Sequence, residues 1–304
     1  MAGVTRPDDR GQLLLVGAFG LAVLLVVLAG VVNSAAYTDS LTTSTGDLNG
    51  GRDVAAFRAD AGRAADGILG RVNDGPAPDY AAREDRFRDA VDNWSDAAGR
   101  QHAMDGTGVG VSVVGTTRGS RITQSTARPL TNASGTADWT VAAGVSDVRR
   151  ARLNLSQSSL LDCGVGACYE LVADDGTDVW RVTVGRLFVT VDGPAGTEQC
   201  AVTADPVVVD FRNETVNGDS CPALSFAEGL STPYDIRIRN GDAATGTYRL
   251  TVDTDVDDDD GDFAAAGEPS VTPVVYAADV RVSYRTPRLT YATELRVDGG
   301  ESDG

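Results

Sequence analysis

The longest apolar run of the chain lies near its N-terminus. Residues 13–32 are twenty consecutive positions without a charged side chain, the length that one α-helix needs to cross the hydrocarbon core of a bilayer. The apolar region of a secretory signal peptide is shorter, about 7–15 residues, although Ser34-Ala35-Ala36 offers small residues that a signal peptidase could cut. Because Arg6 and Arg10 precede the run, the positive-inside rule predicts a cytoplasmic N-terminus and an extracellular remainder.

Two amphipathic stripes follow this run. Apolar residues recur at steps of three and four from Val54 to Ile68, and a second stripe extends from Tyr80 to Ala98. The turn-forming residues 74–78 separate the two stripes. This spacing predicts two helices. Their apolar faces are suited to association with neighbouring subunits and equally to packing on the rest of the chain, and the sequence leaves both interpretations open.

Beyond Gly106 the apolar and polar residues alternate, and Thr, Val and Gly become frequent. This period of two predicts β-strands joined by turns. Two hairpins are expected, one pairing Tyr234–Ile238 with Tyr248–Val252 and one pairing Val280–Tyr284 with Leu289–Val297. Further strands are predicted at Trp139–Val145, Ala151–Leu155, Trp180–Val184 and Leu187–Val191, with a bulge or break at Gly185-Arg186.

Together these segments predict an α+β chain with five parts. A charged leader covers residues 1–11, and a transmembrane or pilin-like helix covers residues 12–33. A helical neck covers residues 34–105, and a β-rich extracellular domain, antiparallel and sandwich-like, covers residues 106–298. An acidic tail covers residues 299–304. The expected location is therefore the cell membrane, with a single pass and the C-terminal domain outside.

The charge composition indicates which solvent and which partners suit this chain. The chain has 44 acidic residues and 26 basic residues, all of them Arg, and a net charge of −18. Such a surface tolerates molar salt, in which the Debye length falls to about 3 Å, and it repels a phosphate backbone. Nucleic-acid binding is therefore not expected. The acid-rich, lysine-free composition resembles that of haloarchaeal proteins, and acidic proteins of other GC-rich organisms are the alternative.

The same composition excludes several kinds of catalytic site. Without Lys, the chain has no Schiff-base lysine and no P-loop lysine. Its one histidine, His102, excludes a multi-histidine metal site, and its position just past the second stripe predicts a helix-end residue. An extracellular hydrolase is a third functional hypothesis, for which no G-x-S-x-G or H-E-x-x-H motif is present. The sequence therefore predicts no catalytic residue.

The junction between leader and apolar run carries a family resemblance. Residues 9–15, which read DRGQLLL, resemble the class III signal of archaeal type IV pilins and related surface proteins. In that family a prepilin peptidase cuts after the glycine, so the resemblance implies cleavage between Gly11 and Gln12. Many bacterial pilins carry a glutamate at the fifth mature position, where this chain has Val16. The resemblance is therefore to a minor pilin or pseudopilin-like subunit.

Four cysteines lie in the predicted extracellular domain. An even number of cysteines in an oxidising compartment predicts two disulfides, and four cysteines permit three connectivities. The pairing of nearest neighbours, Cys163 with Cys168 and Cys200 with Cys221, closes two local loops and is favoured. A four-cysteine zinc site is the alternative, although neither pair has the short spacing typical of such sites.

Sequons and an acidic segment provide further candidate sites. Asn132, Asn154 and Asn213 are candidate glycosylation sites, and Asn154 is expected to face solvent between two inward leucines. Carboxylates converging at a tight turn suit Ca²⁺, the one candidate cofactor. A solvated acidic loop is the alternative, because the spacing does not match that of an EF-hand. The candidate calcium ligands are Asp257, Asp259, Asp262 and Glu268.

These observations predict a non-enzymatic cell-surface subunit. A minor pilin or pseudopilin-like protein would have a structural or adhesive role in a type IV pilus-like assembly, with the membrane, pilin-like subunits or assembly machinery as its partners. The alternative is a membrane-tethered binding or sensing ectodomain whose helix never leaves the bilayer, with calcium as its candidate stabilising ion. Processing after Gly11 distinguishes the two.

Overall fold

The computed structural model describes residues 49–163, 167–256, 261–264 and 267–299. These ranges contain two long helices, three short 3₁₀ turns and fourteen strands. The helices are α1 (Asn49–Asp74) and α2 (Tyr80–Ala103). The strands are β1 (Gly108–Pro129), β2 (Trp139–Val145), β3 (Val148–Leu155), β4 (Tyr169–Asp174), β5 (Val179–Val184), β6 (Phe188–Gly193), β7 (Gly196–Ala201), β8 (Val207–Asp210), β9 (Thr215–Val216), β10 (Asp219–Ser220), β11 (Tyr234–Arg239), β12 (Thr245–Val252), β13 (Ser270–Arg285) and β14 (Thr290–Val297).

The strands form two antiparallel sheets. The eight-stranded sheet has the order β10-β9-β8-β3-β12-β1-β13-β14, and the six-stranded sheet has the order β2-β11-β4-β5-β6-β7. Every pairing between the described strands is antiparallel. The predicted β-rich, antiparallel architecture is therefore confirmed.

One hydrophobic core lies between the two sheets. It combines residues of the eight-stranded sheet, such as Leu250 and Val209, with residues of the six-stranded sheet, such as Val182. Trp180 is its largest fully buried side chain, and its ring centroid lies 5.9 Å from that of Phe211 and 4.9 Å from that of Phe226. Large aromatic side chains at such distances contribute much of a core's buried area.

A second core lies between the helices and the eight-stranded sheet. The apolar stripe of α1, which includes Phe57 and Leu69, and that of α2, which includes Phe87, pack on Val280 and Val282 of β13. The contacts divide the chain into a unit of residues 1–53 and a unit of residues 54–304. The helices from Val54 onward therefore belong to the same compact unit as the strands. A helical neck separate from the β-rich domain, as predicted over residues 34–105, is not supported.

One predicted hairpin is confirmed and the other is wrong. β13 pairs with β14, with Tyr284 facing Tyr291, as the alternation predicts. In contrast, β11 and β12 lie in different sheets, where β11 pairs with β2 and β4 and β12 pairs with β1 and β3. The link between them begins at Asn240 in the left-handed conformation (φ 52°) and continues as a 3₁₀ turn at Gly241–Ala243. This turn transfers the chain from one sheet to the other.

The predictions on the N-terminal segments concern residues that the structure does not describe. The leader, the apolar run of residues 13–32 and the processing residues Gly11 and Gln12 all lie outside the described ranges. Within the described ranges no helix combines the length and the apolar character that crossing a membrane requires.

Candidate functional site

Both predicted disulfides are present. Cys163 is bonded to Cys168 with their Cα atoms 5.5 Å apart, and Cys200 is bonded to Cys221 with their Cα atoms 5.9 Å apart. No free cysteine remains in the described ranges, so these four thiols are not available to zinc. Cys200 lies on β7, an edge of the six-stranded sheet, and Cys221 directly follows β10, an edge of the eight-stranded sheet. The second disulfide therefore joins the two sheets.

Glu268, a predicted calcium ligand, binds an irregular part of β1. Its Oε1 accepts a hydrogen bond from the backbone N–H of Ser125 at 2.8 Å, and its Oε2 accepts one from the N–H of Thr126 at 2.6 Å. The Ser125 hydroxyl also donates to Oε1. The register of β1 with β12 shifts between Gln124 and Arg128, which directs these N–H groups away from β12. The carboxylate thus satisfies backbone donors that the shift leaves without a strand partner.

The hydrogen bonds at Glu268 also change its ionisation. Burial raises the pKa of the carboxyl, but the bonds from Ser125 and Thr126 favour the charged form and together outweigh burial, so its pKa lies below the ordinary value. A carboxyl whose pKa is lower in the folded chain contributes stability above its unfolded pKa. That contribution is lost as the pH falls through the folded pKa.

We expect Glu268→Gln to lower the free energy of unfolding by about 1 kcal/mol at pH 7, because the amide NH₂ would face a backbone N–H donor in a partly exposed site. The difference from the unchanged chain should shrink as the pH falls through the folded pKa of Glu268. Denaturation at a series of pH values measures this, with the exposed Glu228→Gln as the matched control. A loss that is equally large at acidic pH would contradict the role of the ionised carboxylate.

Asp262, another predicted calcium ligand, is bonded to a loop before β2. Its Oδ1 accepts a hydrogen bond from Asn132 Nδ2 at 2.6 Å, and its backbone carbonyl accepts one from the N–H of Ala133 at 2.8 Å. Asp257 and Asp259 lie outside the described residues. Within the described ranges no three His, Cys, Asp or Glu side chains converge as a metal site requires. Calcium binding therefore stays a prediction.

The three predicted glycosylation sites differ in accessibility. Asn132 is buried at 4% exposure, its Oδ1 accepts the N–H of Thr136 at 2.7 Å, and its amide nitrogen binds Asp262. A glycan requires that nitrogen in solvent, so the folded chain does not present Asn132 as an acceptor. Asn154 and Asn213 are both exposed. The expectation that Asn154 faces solvent is confirmed, whereas glycosylation itself stays a prediction.

The eight-stranded sheet carries an arginine-rich face that the sequence analysis did not identify. Along β12, Tyr248 and Leu250 enter the core between the sheets, so Arg249 lies on the opposite face. Arg249 is directly opposite Arg152 of β3, and Arg152 is in turn opposite Asp210 of β8. Both arginines, together with Arg150, line a cleft of about 260 Å³. Arg150 and Arg152 also have interaction partners within the chain.

This cleft has a defined chemistry. Guanidinium groups bind carboxylates and other oxyanions through paired hydrogen bonds. The exposed sequon residue Asn154 lies on the same rim. The alternating arginines of β3 are visible in the sequence, but the strand that faces them is not, because pairing between distant strands has no local signal.

His102 lies in the last turn of α2, as the sequence predicts for a helix-end residue. Its ring meets that of Phe57 edge to face at a centroid distance of 5.3 Å. The histidine therefore contacts the second core, and this contact explains its position.

Comparison with known proteins gives one partial match. A family model described as "Family of unknown function (DUF7261)" matches residues 7–128. No curated protein and no solved structure matches the chain. The matched region begins ahead of the apolar run, includes α1 and α2, and ends one residue before the end of β1. Over these residues the chain is similar to a family of unknown function.

Proposed function

We propose that the protein is a non-enzymatic cell-surface subunit of the minor pilin or pseudopilin type, with a structural or adhesive role. In this proposal residues 12–33 form the anchoring helix, and the part from Val54 onward lies outside the cell. Its partners are the membrane and pilin-like subunits or their assembly machinery.

The observation that carries the proposal is the pair of disulfides downstream of the apolar run. Disulfides persist in oxidising compartments and are rare in the cytosol. Both lie more than 130 residues after the uncharged segment of residues 13–32. An extracellular β-rich part and a cytoplasmic leader with Arg6 and Arg10 agree with each other and with the resemblance at residues 9–15.

The packing of the helices restricts how such a subunit makes contacts. Phe57, Leu69 and Phe87 are buried within the chain's own second core. Their apolar stripes are therefore not available to neighbouring subunits. Association would use the apolar N-terminal segment, the sheet edges or the sheet faces.

We expect the native protein to begin at Gln12, because removal of the leader would free the apolar helix from Arg6, Arg10 and the two aspartates beside them, and each such charge is costly in hydrocarbon. N-terminal sequencing of the protein purified from its own cells measures this. Gly11→Leu is expected to block the cleavage, and Gly17→Leu, inside the apolar run, is the control that leaves it intact. A start near Tyr37 would indicate a secreted protein and contradict the anchor.

A membrane-tethered binding ectodomain is the second candidate function. The cleft lined by Arg150, Arg152 and Arg249 favours it, because guanidinium groups bind carboxylates and other oxyanions through paired hydrogen bonds. This candidate predicts an unprocessed start at Met1 or Ala2. The same N-terminal sequencing therefore separates the two functions.

A further inference from the structure

The described sheets have four edge strands, and three of them are poorly suited to pairing. β10 is two residues long, and β2 shifts its register with β11 at two points. β7 is cross-linked through Cys200 to Cys221 of the segment that follows β10. β14 is the longest of the four edge strands, and β7, whose register with β6 is also unbroken, is six residues long. β14 is eight residues long, it contains no proline, and its register with β13 is unbroken from Thr290 to Val297. A long, regular edge presents unpaired N–H and C=O groups that can accept another strand.

The exposed face of β14 carries two opposite charges, two residues apart. Glu294 Oε1 accepts a hydrogen bond from Arg281 Nη2 of β13 at 2.8 Å. Arg296 Nη1 lies 3.7 Å from Asp279 Oδ1 of β13. Each pair is directly opposite across the two strands. On this face each pair of opposite side chains forms a short row that runs from β13 to β14. One row ends at the edge in the negative Glu294, and the next ends in the positive Arg296.

Glu294 and Arg296 complement each other when two copies of β14 are related by a two-fold axis. If Leu295 faces Leu295 of a second copy in an antiparallel pair, Glu294 faces Arg296 of that copy, and Arg296 faces its Glu294. Each row then alternates in sign across four strands. Moving the axis to either neighbouring residue places Glu294 opposite Glu294 or Arg296 opposite Arg296, and like charges in that position are destabilising.

The helix above β14 leaves room for such a partner. An added Cβ on Gly62 of α1 would lie 3.6 Å from Leu295 Cδ1, which places this flank of the helix over β14. Ala55 and Ala59 share the flank by helical spacing, and both are exposed. Asp66 shares the same flank and accepts a hydrogen bond from the N–H of Gly299, just beyond β14. Two such helices, brought side by side by strand pairing, would meet through Gly62, Ala55 and Ala59 with Asp66 beside them.

We propose that β14 pairs with β14 of a second copy of this chain, antiparallel and with Leu295 on the two-fold axis, so that the two eight-stranded sheets become continuous. The interface is isologous, as in most homodimers. It uses the β13–β14 hairpin and the adjacent flank of α1, and it does not depend on processing after Gly11 or on association through residues 13–32. Failure of the proposed function would therefore leave this inference standing.

The test uses charge reversal in the full chain, purified in detergent at the lowest salt concentration that preserves its circular dichroism spectrum. Glu294→Arg alone sets Arg against Arg at both contacts, and Arg296→Glu alone sets Glu against Glu. We expect each variant to dimerise about 30-fold more weakly than the unchanged chain, because two symmetric pairs change from attraction to repulsion. Mixing the two variants restores opposite charges at both contacts. The mixture should form heterodimers, which sedimentation of differently labelled chains detects.

A second measurement does not depend on charge. Glu294→Cys mixed with Arg296→Cys should give a cross-linked heterodimer on mild oxidation, because directly opposite residues of an antiparallel pair lie within disulfide distance. Glu294→Cys alone has Arg296 opposite it and should give little cross-linked dimer, so it is the matched control. The inference is overturned if the unchanged chain is monomeric at tens of micromolar, if either charge variant dimerises as tightly as it does, or if the mixed variants form no heterodimer.

Discussion

Replacing Arg83 with methionine is expected to lower the free energy of unfolding by about 3 kcal/mol. Arg83 is 1% exposed, and its Nη1 donates to the carbonyl oxygens of Asn73 at 2.9 Å and Gly75 at 3.0 Å, and also to that of Val72. These carbonyls belong to the last turn of α1 and the residue after it, where an α-helix leaves its carbonyls without intrahelical partners.

The substitution isolates this polar role. Methionine retains much of the arginine's apolar stem, so the expected loss comes from carbonyl groups left buried without a donor. Burial already lowers the pKa of the Arg83 guanidinium, and the nearby charge of Arg121 adds to that effect, but an arginine keeps its proton at any ordinary pH. The loss should therefore be nearly independent of pH between pH 6 and 8.

Arg86→Met is the matched control for this prediction. Arg86 lies on the same helix, is exposed, and donates to the carbonyl of Pro76 in the same connection between the helices. We expect it to change the free energy of unfolding by less than about 0.5 kcal/mol. Chemical denaturation followed by circular dichroism measures both variants. Equal stabilities of the two variants would contradict the cap that we assign to Arg83.

Removing the disulfide that joins the two sheets is expected to cost about 3 kcal/mol, and removing the other about 2 kcal/mol, in the chain-entropy model of cross-links. The bond between Cys200 and Cys221 spans 21 residues, whereas the bond between Cys163 and Cys168 spans 5. The longer loop restricts the unfolded chain more. The double substitutions to alanine at each pair are compared by denaturation under oxidising conditions.

Burial adds to the difference in loop length between the two disulfides. Cys200 and Cys221 are also buried, at 9% and 0% exposure, so their removal loses packing as well as the cross-link. Cys163 is exposed. A larger loss from removing the bond between Cys163 and Cys168 would show that loop length and burial do not govern the stabilisation.

The candidate sites differ in whether the residues that form them lie close together in the sequence. The cysteine pairing could be predicted, because two short separations along the chain bring the nearest cysteines together with little rearrangement. The role of Glu268 could not, because its partners Ser125 and Thr126 are more than 140 residues away in sequence. The same holds for Arg152 and Arg249, which become neighbours only through the pairing of β3 with β12.

The sequence by itself determined the elements whose signal is periodic or local. The steps of three and four before Ala103 determined two helices, and the alternation on either side of Thr286-Pro287 determined the β13–β14 hairpin. Hydrophobic periodicity reports which face of an element is buried, so it is sufficient for these predictions. It does not report what that face is buried against.

Only the tertiary structure decided the partners of those faces. The helix stripes pack on β13, and β11 and β12, which are adjacent in the chain, lie in different sheets. β1 shows the reason most clearly. Val111 enters the helix-side core and Ile122 the core between the sheets, and at Gly119, between them, an added Cβ would lie 2.3 Å from the carbonyl oxygen of Val252. A strand that serves two cores has no single apolar stripe, because its burial depends on which distant segments pack on each part of it.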